Sequence, residues 1–169
     1  DERSSFSIWV NHRKSFTGVT DHDRAMTISE MAKMFRDGKF DEFGKTFRSP
    51  GHVCLLRGAV DTVKNRRGHT EIGLAMCEMA GVTPVCVVCE MMDGETGQAT
   101  SFDDAKKYAE ENDLVLLRGN DIIKKYLEEK EIEYTDCGTF NEERAEYPEI
   151  AQAVATEVQD GQAEKGIII

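Results

Sequence analysis

Residues 70–89 read Thr70-Glu71-Ile72-Gly73-Leu74-Ala75-Met76-Cys77-Glu78-Met79-Ala80-Gly81-Val82-Thr83-Pro84-Val85-Cys86-Val87-Val88-Cys89. The first half sets Ile72, Ala75, Met76 and Met79 at helical spacing and stops at Gly81. The second half, residues 85–89, is a continuous apolar, β-branched run, which predicts a buried strand. A helix that feeds a strand apolar on both faces is the building unit of a sheet covered by helices. The same alternation continues downstream. Residues 101–112 form a predicted helix with Ser101 as N-cap and Asp104 at N3, residues 114–117 a second buried strand, and residues 120–130 a helix with Ile122, Ile123, Tyr126 and Leu127 inward. Upstream, residues 52–56 follow the turn signal Ser49-Pro50-Gly51 as a strand. Phe6, Ile8 and Val10 alternate with Ser7, Trp9 and Asn11, again as a strand. Thr27-Ile28-Ser29-Glu30 reads as a capping box, followed by Ile28, Met31, Ala32 and Phe35 at helical spacing and a stop at Gly38; residues 39–49 read as a loop. The alternation predicts a layered α/β core.

Composition narrows the function. The chain has 169 residues, 40% hydrophobic and 31% charged, enough for one domain with a sizeable core. No apolar run reaches the ~18 residues that span a bilayer. The net charge is −11, and residues 128–169 hold 12 acids against 3 bases. The acidity belongs to the tail, the body is near neutral, and a basic nucleic-acid footprint is absent. Five cysteines at irregular spacing make no disulfide framework and point to a reducing, cytoplasmic setting.

The densest polar cluster is Lys64-Asn65-Arg66-Arg67-Gly68-His69-Thr70-Glu71 at a predicted helix start. Backbone N–H groups there favour an anion, Gly68 allows close approach, and Arg66 or Arg67 offers a forked contact to phosphate. His69 offers a metal ligand or a proton carrier. A solvated basic turn with Thr70 as N-cap explains the same residues equally well. His52 sits at a loop-to-strand junction, where structural and catalytic histidines both occur. Glu90 follows the predicted strand 85–89, where open α/β sheets build their sites, although a strand also ends where polarity begins. Residues 17–24, Thr17-Gly18-Val19-Thr20-Asp21-His22-Asp23-Arg24, suit either a sugar-phosphate cradle or an ordinary connector. Cys86 and Cys89 form a CxxC whose thiols strand alternation sends to opposite faces, so core packing outweighs a zinc or redox role.

Taken together, the stretch from Thr17 to Arg24 with Thr27-Ile28, then Phe47-Arg48-Ser49-Pro50-Gly51-His52-Val53, then Arg66-Arg67-Gly68-His69-Thr70-Glu71, then Cys89-Glu90-Met91 resemble the 3,4-dihydroxy-2-butanone 4-phosphate synthases of riboflavin biosynthesis, in their archaeal single-function form. The resemblance covers about residues 1–130. It implies a three-layer α+β sandwich around a mixed sheet, working as a homodimer with sites near the subunit interface. It implies a lyase that converts D-ribulose 5-phosphate into 3,4-dihydroxy-2-butanone 4-phosphate and formate by metal-assisted enolisation and skeletal rearrangement, with Mg2+ or Mn2+. Carried over by position, His52 and Glu90 match the catalytic positions. Thr17, Arg66, Arg67, Gly68, His69 and Thr70 match substrate-binding positions, and His69 matches the metal-ligand histidine.

Two departures bear on this. The family's N-terminal acidic loop, which carries its other protein metal ligand, has no match here, and Glu2 is not assigned that role. The chain is therefore expected to be a fragment or truncated relative, with 1–130 the C-terminal portion of the family domain and 131–169 an acidic tail holding one more helix near residues 150–158. Residues from about 134 onward match nothing in that family. The competing readings are a non-catalytic relative that binds sugar phosphate or a partner protein, and a thiol protein using Cys86 and Cys89.

Overall fold

The structure, a computed structural model, describes residues 4–137 and 147–163. Asp1-Glu2-Arg3 and the apolar end Ile167-Ile168-Ile169 lie outside the described residues. In chain order the elements are β1 (Ser5–His12), α1 (Asp21–Asp37), a 3-10 turn (Phe40–Glu42), α2 (Phe43–Thr46), β2 (Phe47–Arg57), a second 3-10 turn (Thr62–Lys64), α3 (His69–Met79), α4 (Phe102–Glu111), α5 (Gly119–Glu129) and α6 (Tyr147–Gln159). The α+β class holds. Two compact units divide the chain, Asp1–Tyr126 and Leu127–Ile169.

In the first unit β1 and β2 pair antiparallel, from Ser5 opposite Arg57 to His12 opposite Phe47. The register shifts twice, between Phe6 and Trp9 and between Val10 and Asn11, and the second shift has a purpose visible in the sequence. Val10 pairs with Val53 and the next residue, Asn11, with Arg48, so residues 49–52 bulge out of β2. Ser49-Pro50-Gly51 is thus a bulge inside one long strand, not a turn before it. Proline cannot donate to the ladder, and an added Cβ on Gly51 would lie 2.0 Å from the Val10 carbonyl carbon. β2 accordingly begins at Phe47, inside the predicted loop, because Phe47 is buried at 2% exposure in a cluster with Val10, Met31 and Met34.

Helix α1 corrects the predicted cap. Near the start of α1 the pattern Thr-x-x-acid occurs twice, as Thr20-Asp21-His22-Asp23 and as Thr27-Ile28-Ser29-Glu30. The first one starts the helix: Thr20 is the N-cap and its hydroxyl accepts from the Asp23 N–H. Thr27 lies two turns inside, fully buried. Its hydroxyl donates to the Asp23 carbonyl at 2.9 Å and accepts from the His12 N–H at 3.0 Å, which ties α1 to the end of β1. The buried stripe is Asp23, Thr27, Met31 and Met34, and Phe35 faces outward against Phe40. Gly38 ends the helix in the left-handed region, as predicted.

Helix α3 starts at His69 with Gly68 as N-cap, so Thr70 lies inside the helix. Ala75 is buried, as predicted, but Met76 is exposed. Helix α4 carries the predicted cap: the Ser101 hydroxyl accepts from the Asp104 N–H at 3.1 Å and donates to its carboxylate at 2.6 Å. On α5, Ile122, Ile123, Tyr126 and Leu127 are all buried. The Tyr126 hydroxyl donates to Glu78 at 2.8 Å, and the Thr62 hydroxyl lies 3.2 Å from it.

The two predicted buried strands do not form. Residues 85–89 and 114–117 join no sheet, and Val87, Val88 and Val115 are 68%, 42% and 85% exposed. Apolar, β-branched composition favours a strand only where a neighbour satisfies its backbone, and no strand lies beside either run among the described residues. The mixed sheet is accordingly a two-stranded antiparallel one among these residues. The run 85–89 still lies along α3. A Cβ on Gly73 would approach the Cys86 sulfur to 2.8 Å and Val88 Cγ1 to 3.9 Å. Burial raises the Cys86 thiol pKa, with the neighbouring Cys77 adding to the shift. In the second unit, α6 extends the predicted tail helix to Tyr147–Gln159. No helix among the described residues is long and apolar enough to cross a membrane.

Candidate active site

The residues singled out from sequence fall into two built constellations and two isolated positions. The first constellation surrounds the bulge. Asn11, 2% exposed, faces His52 through both ends of its side-chain amide. Its Oδ1 accepts from the His52 N–H at 2.8 Å, replacing a ladder bond lost at the bulge, and its Nδ2 lies 3.1 Å from His52 Nδ1. The His52 side chain itself is exposed.

The segment 16–18 closes over this pair. Gly18 has φ 85°, and a Cβ there would lie 2.0 Å from Asn11 Nδ2, so both backbone shape and space require glycine. Asp23 clamps the segment by accepting from three successive N–H groups: Phe16 at 3.1 Å, Thr17 at 3.0 Å and Gly18 at 2.8 Å. The Thr17 hydroxyl, 3.4 Å from the same carboxylate, is partly committed to holding its own loop.

Asp23 is held below the usual carboxylate pKa, first by the Gly18 N–H, then by those of Phe16 and Thr17, against the opposing effect of burial. A depressed pKa means that the native form favours the ionised group. The stability it lends is fully present above the unfolded value of about 3.9 and is lost as pH falls through the lower folded value. We expect amide hydrogen exchange at Phe16, Thr17 and Gly18 to accelerate over that acid window ahead of β1, and Asp23→Asn to show fast exchange already at neutral pH. Equal protection in Asp23→Asn and the parent chain would defeat this assignment.

The second constellation stands at the start of α3. Glu71, 1% exposed, accepts from the Ala59 N–H at 3.0 Å and forms an ion pair with Arg66 Nη1. Arg66 Nη2 donates to the Ser4 hydroxyl at 3.2 Å. The guanidinium lies over Gly68, where an added Cβ would sit 2.0 Å from Nη1, so this glycine is required by space. Arg66 is therefore oriented from below by a buried carboxylate, beside the helix N-terminus that favours anions.

His69 is exposed at the first position of α3, and Glu90 is exposed on the unpaired run after residue 89. No hydrogen bond or ion pair joins His52, His69 and Glu90 to one another among the described residues. Nor do any three His, Cys, Asp or Glu among these residues form a group suited to a metal. Cys86 and Cys89 are exposed rather than core residues, and they belong to no such group.

Sequence reasoning passed over Asn11, Asp23 and Glu71. Asp23 was within reach as the N3 acid after Thr20. Glu71 was visible as a carboxylate one turn from Gly68, although its burial was not. Asn11 gave no local signal, since its partner is 41 residues away.

Residues 1–125 match the family model described as 3,4-dihydroxy-2-butanone 4-phosphate synthase. Residues 111–169 match a model described as ribose/galactose isomerase, a likeness for the tail that the sequence reading missed. A 3,4-dihydroxy-2-butanone 4-phosphate synthase of Methanothermobacter thermautotrophicus is 56% identical over 128 residues, 76% of this chain and 56% of that protein. One from Archaeoglobus fulgidus is 47% identical over 136 residues, 79% of this chain and 57% of that protein. The chain thus spans a little over half the length of the curated relatives it matches. Among solved structures, the Candida albicans synthase superposes with a TM-score of 0.65 at 27% identity, covering 72% of this chain and 60% of that one. A synthase in complex with two magnesium ions gives 0.60 at 25% identity, covering 76% and 62%.

Proposed function

Because the chain belongs to the 3,4-dihydroxy-2-butanone 4-phosphate synthase family, we propose that it supplies the part of the lyase site built on residues 17–90, acting on D-ribulose 5-phosphate to give 3,4-dihydroxy-2-butanone 4-phosphate and formate. The family match over residues 1–125 carries this reading. The α3 N-terminus supports it chemically. Arg66, Arg67, Gly68, His69 and Thr70 form the substrate-binding segment, with the phosphate set against the helix start and Arg66 held in place by Glu71. Thr17 lines the same substrate from the clamped segment. His52 and Glu90 serve the enolisation of the sugar, from which water and then formate depart. The family portion is residues 1–130 and the acidic tail 131–169. We place the protein in the cytoplasm as a homodimer, with no nucleic-acid or membrane partner.

A divalent metal belongs to this reading, Mg2+ through the magnesium-bound relative and Mn2+ as the alternative the family resemblance implies. The described residues do not fit such an ion unaided. His69 is one exposed imidazole at a helix end that favours anions, and a hard cation requires oxygen ligands. Further donors have to come from the family portion that this chain does not match.

The test is formate release from ribulose 5-phosphate with magnesium and then with EDTA. We expect none from the 169-residue chain alone. We expect EDTA-sensitive release once the chain is joined to the segment of the Methanothermobacter relative that it does not match. A folded joined protein that binds ribulose 5-phosphate yet releases no formate would refute the lyase reading and leave a binding relative.

A further inference from the structure

We propose that Asn11 is a positioning residue that fixes the neutral His52 ring as its Nε2–H tautomer, so that His52 presents a hydrogen-bond donor, and not a base, to the substrate. The role in catalysis rests on the lyase reading above, but the tautomer follows from the geometry alone.

The amide of Asn11 cannot be turned round. Its Oδ1 accepts from the His52 N–H at 2.8 Å, and a backbone N–H offers nothing that an amide NH2 could use. This leaves Nδ2 facing His52 Nδ1 at 3.1 Å. An amide nitrogen only donates, so Nδ1 has to accept with its lone pair. In a neutral imidazole the single proton then sits on Nε2. Competing arrangements are closed off. Asn11 is 2% exposed, so water does not replace it. Gly18 backs onto the amide so closely that a Cβ would overlap Nδ2, and Asp23 holds Gly18 there through its N–H at 2.8 Å. Bulge, loop and clamp thus converge on one torsional state of one side chain.

The consequence separates the two candidate proton carriers. With Nε2 already protonated and Nδ1 engaged, neutral His52 has no free lone pair with which to take a carbon-bound proton. It can donate a hydrogen bond to a substrate oxygen as negative charge develops there, the pattern of a neutral histidine used as an electrophile. The proton leaving carbon then passes to a carboxylate, and Glu90 is the carboxylate among the proposed catalytic residues. The carbon–hydrogen electron pair moves into the enediolate, whose oxygen is the one His52 Nε2–H meets.

The experiment is a 15N–1H long-range correlation spectrum of the histidine-labelled 169-residue chain, about two pH units above the usual imidazole value of about 6.5. His52→Gln assigns the His52 signals. The expected result is an unprotonated Nδ1 and a protonated Nε2 at His52. In Asn11→Asp the carboxylate accepts instead, so the proton moves to Nδ1 and the tautomer ratio shifts by about tenfold or more. A parent chain with His52 protonated at Nδ1 overturns the proposal, as does an unchanged ratio in a folded Asn11→Asp. If that variant does not fold, the parent spectrum alone decides. The predicted tautomer in a joined protein that makes no formate would sink the lyase reading while leaving this one standing. Formate release with the opposite tautomer would do the reverse.

Discussion

Glu90→Gln in the joined protein is expected to lower formate release by about 10²- to 10⁴-fold, the usual contribution of a positioned general base, with little change in the affinity for ribulose 5-phosphate. The substitution keeps shape and removes the basic lone pairs. Because Glu90 is exposed and makes no side-chain hydrogen bond with its neighbours among the described residues, the fold is expected to survive it. Its position depends on the run 85–89 lying along α3, where Gly73 admits Cys86 and Val88 to close approach. Steady-state formate measurements with parallel thermal melts separate chemistry from folding. A variant that retains activity within about tenfold would remove Glu90 from the role of base. His52→Gln provides the contrast: its expected loss is about 10²- to 10³-fold, the size seen when one hydrogen-bond donor to a developing oxyanion is removed.

The largest stability effect is expected at Glu71→Ala. This carboxylate is 1% exposed and serves both Arg66 and the Ala59 N–H. Removing it takes the buried carboxylate away from a guanidinium that is 17% exposed and the acceptor away from the part-buried Ala59 N–H. Breaking such a pair from one side costs about 3–5 kcal/mol, because the remaining charge stays desolvated. For a chain of this length, that corresponds to a drop in Tm of roughly 6–20 °C. Glu71→Gln retains an acceptor for Ala59 and is expected to lose clearly less. Calorimetry of the two variants checks this, and a Glu71→Ala melting point within about 2 °C of the parent would show that the pair contributes little. The same change frees Arg66 from its orientation over Gly68, so ribulose 5-phosphate binding is expected to weaken in any Glu71→Ala protein that remains folded.

Much of the local architecture was legible in the residues themselves. The Ser101–Asp104 cap, the Gly38 stop and the inward face of α5 depend on contacts within a turn or two of helix, and short-range chemistry is written locally. The errors have a common origin in longer range. The Thr-x-x-acid pattern occurs twice near the start of α1, and the choice of Thr20 over Thr27 was made by His12, whose N–H needs the Thr27 hydroxyl. Residues 85–89 and 114–117 have strand composition, but a strand is a property of a pair, and no partner lies beside them among the described residues.

The sequence by itself determined the family, through four ordered motifs between residues 17 and 91, and with it the residues to examine. It also located the longer helices α3 to α6, and α1 apart from its start, because a helix satisfies its own backbone, whereas α2 fell inside the predicted loop 39–49. Only the tertiary structure decided how those motifs are held. It put residues 49–52 in a bulge against Asn11, turned Asp23 from a cap residue into a clamp on Gly18, and buried Glu71 beneath Arg66. Each of these is a polar group whose worth depends on being removed from water beside a partner distant in sequence or on another element, and burial of that kind is set by packing, which no local pattern records.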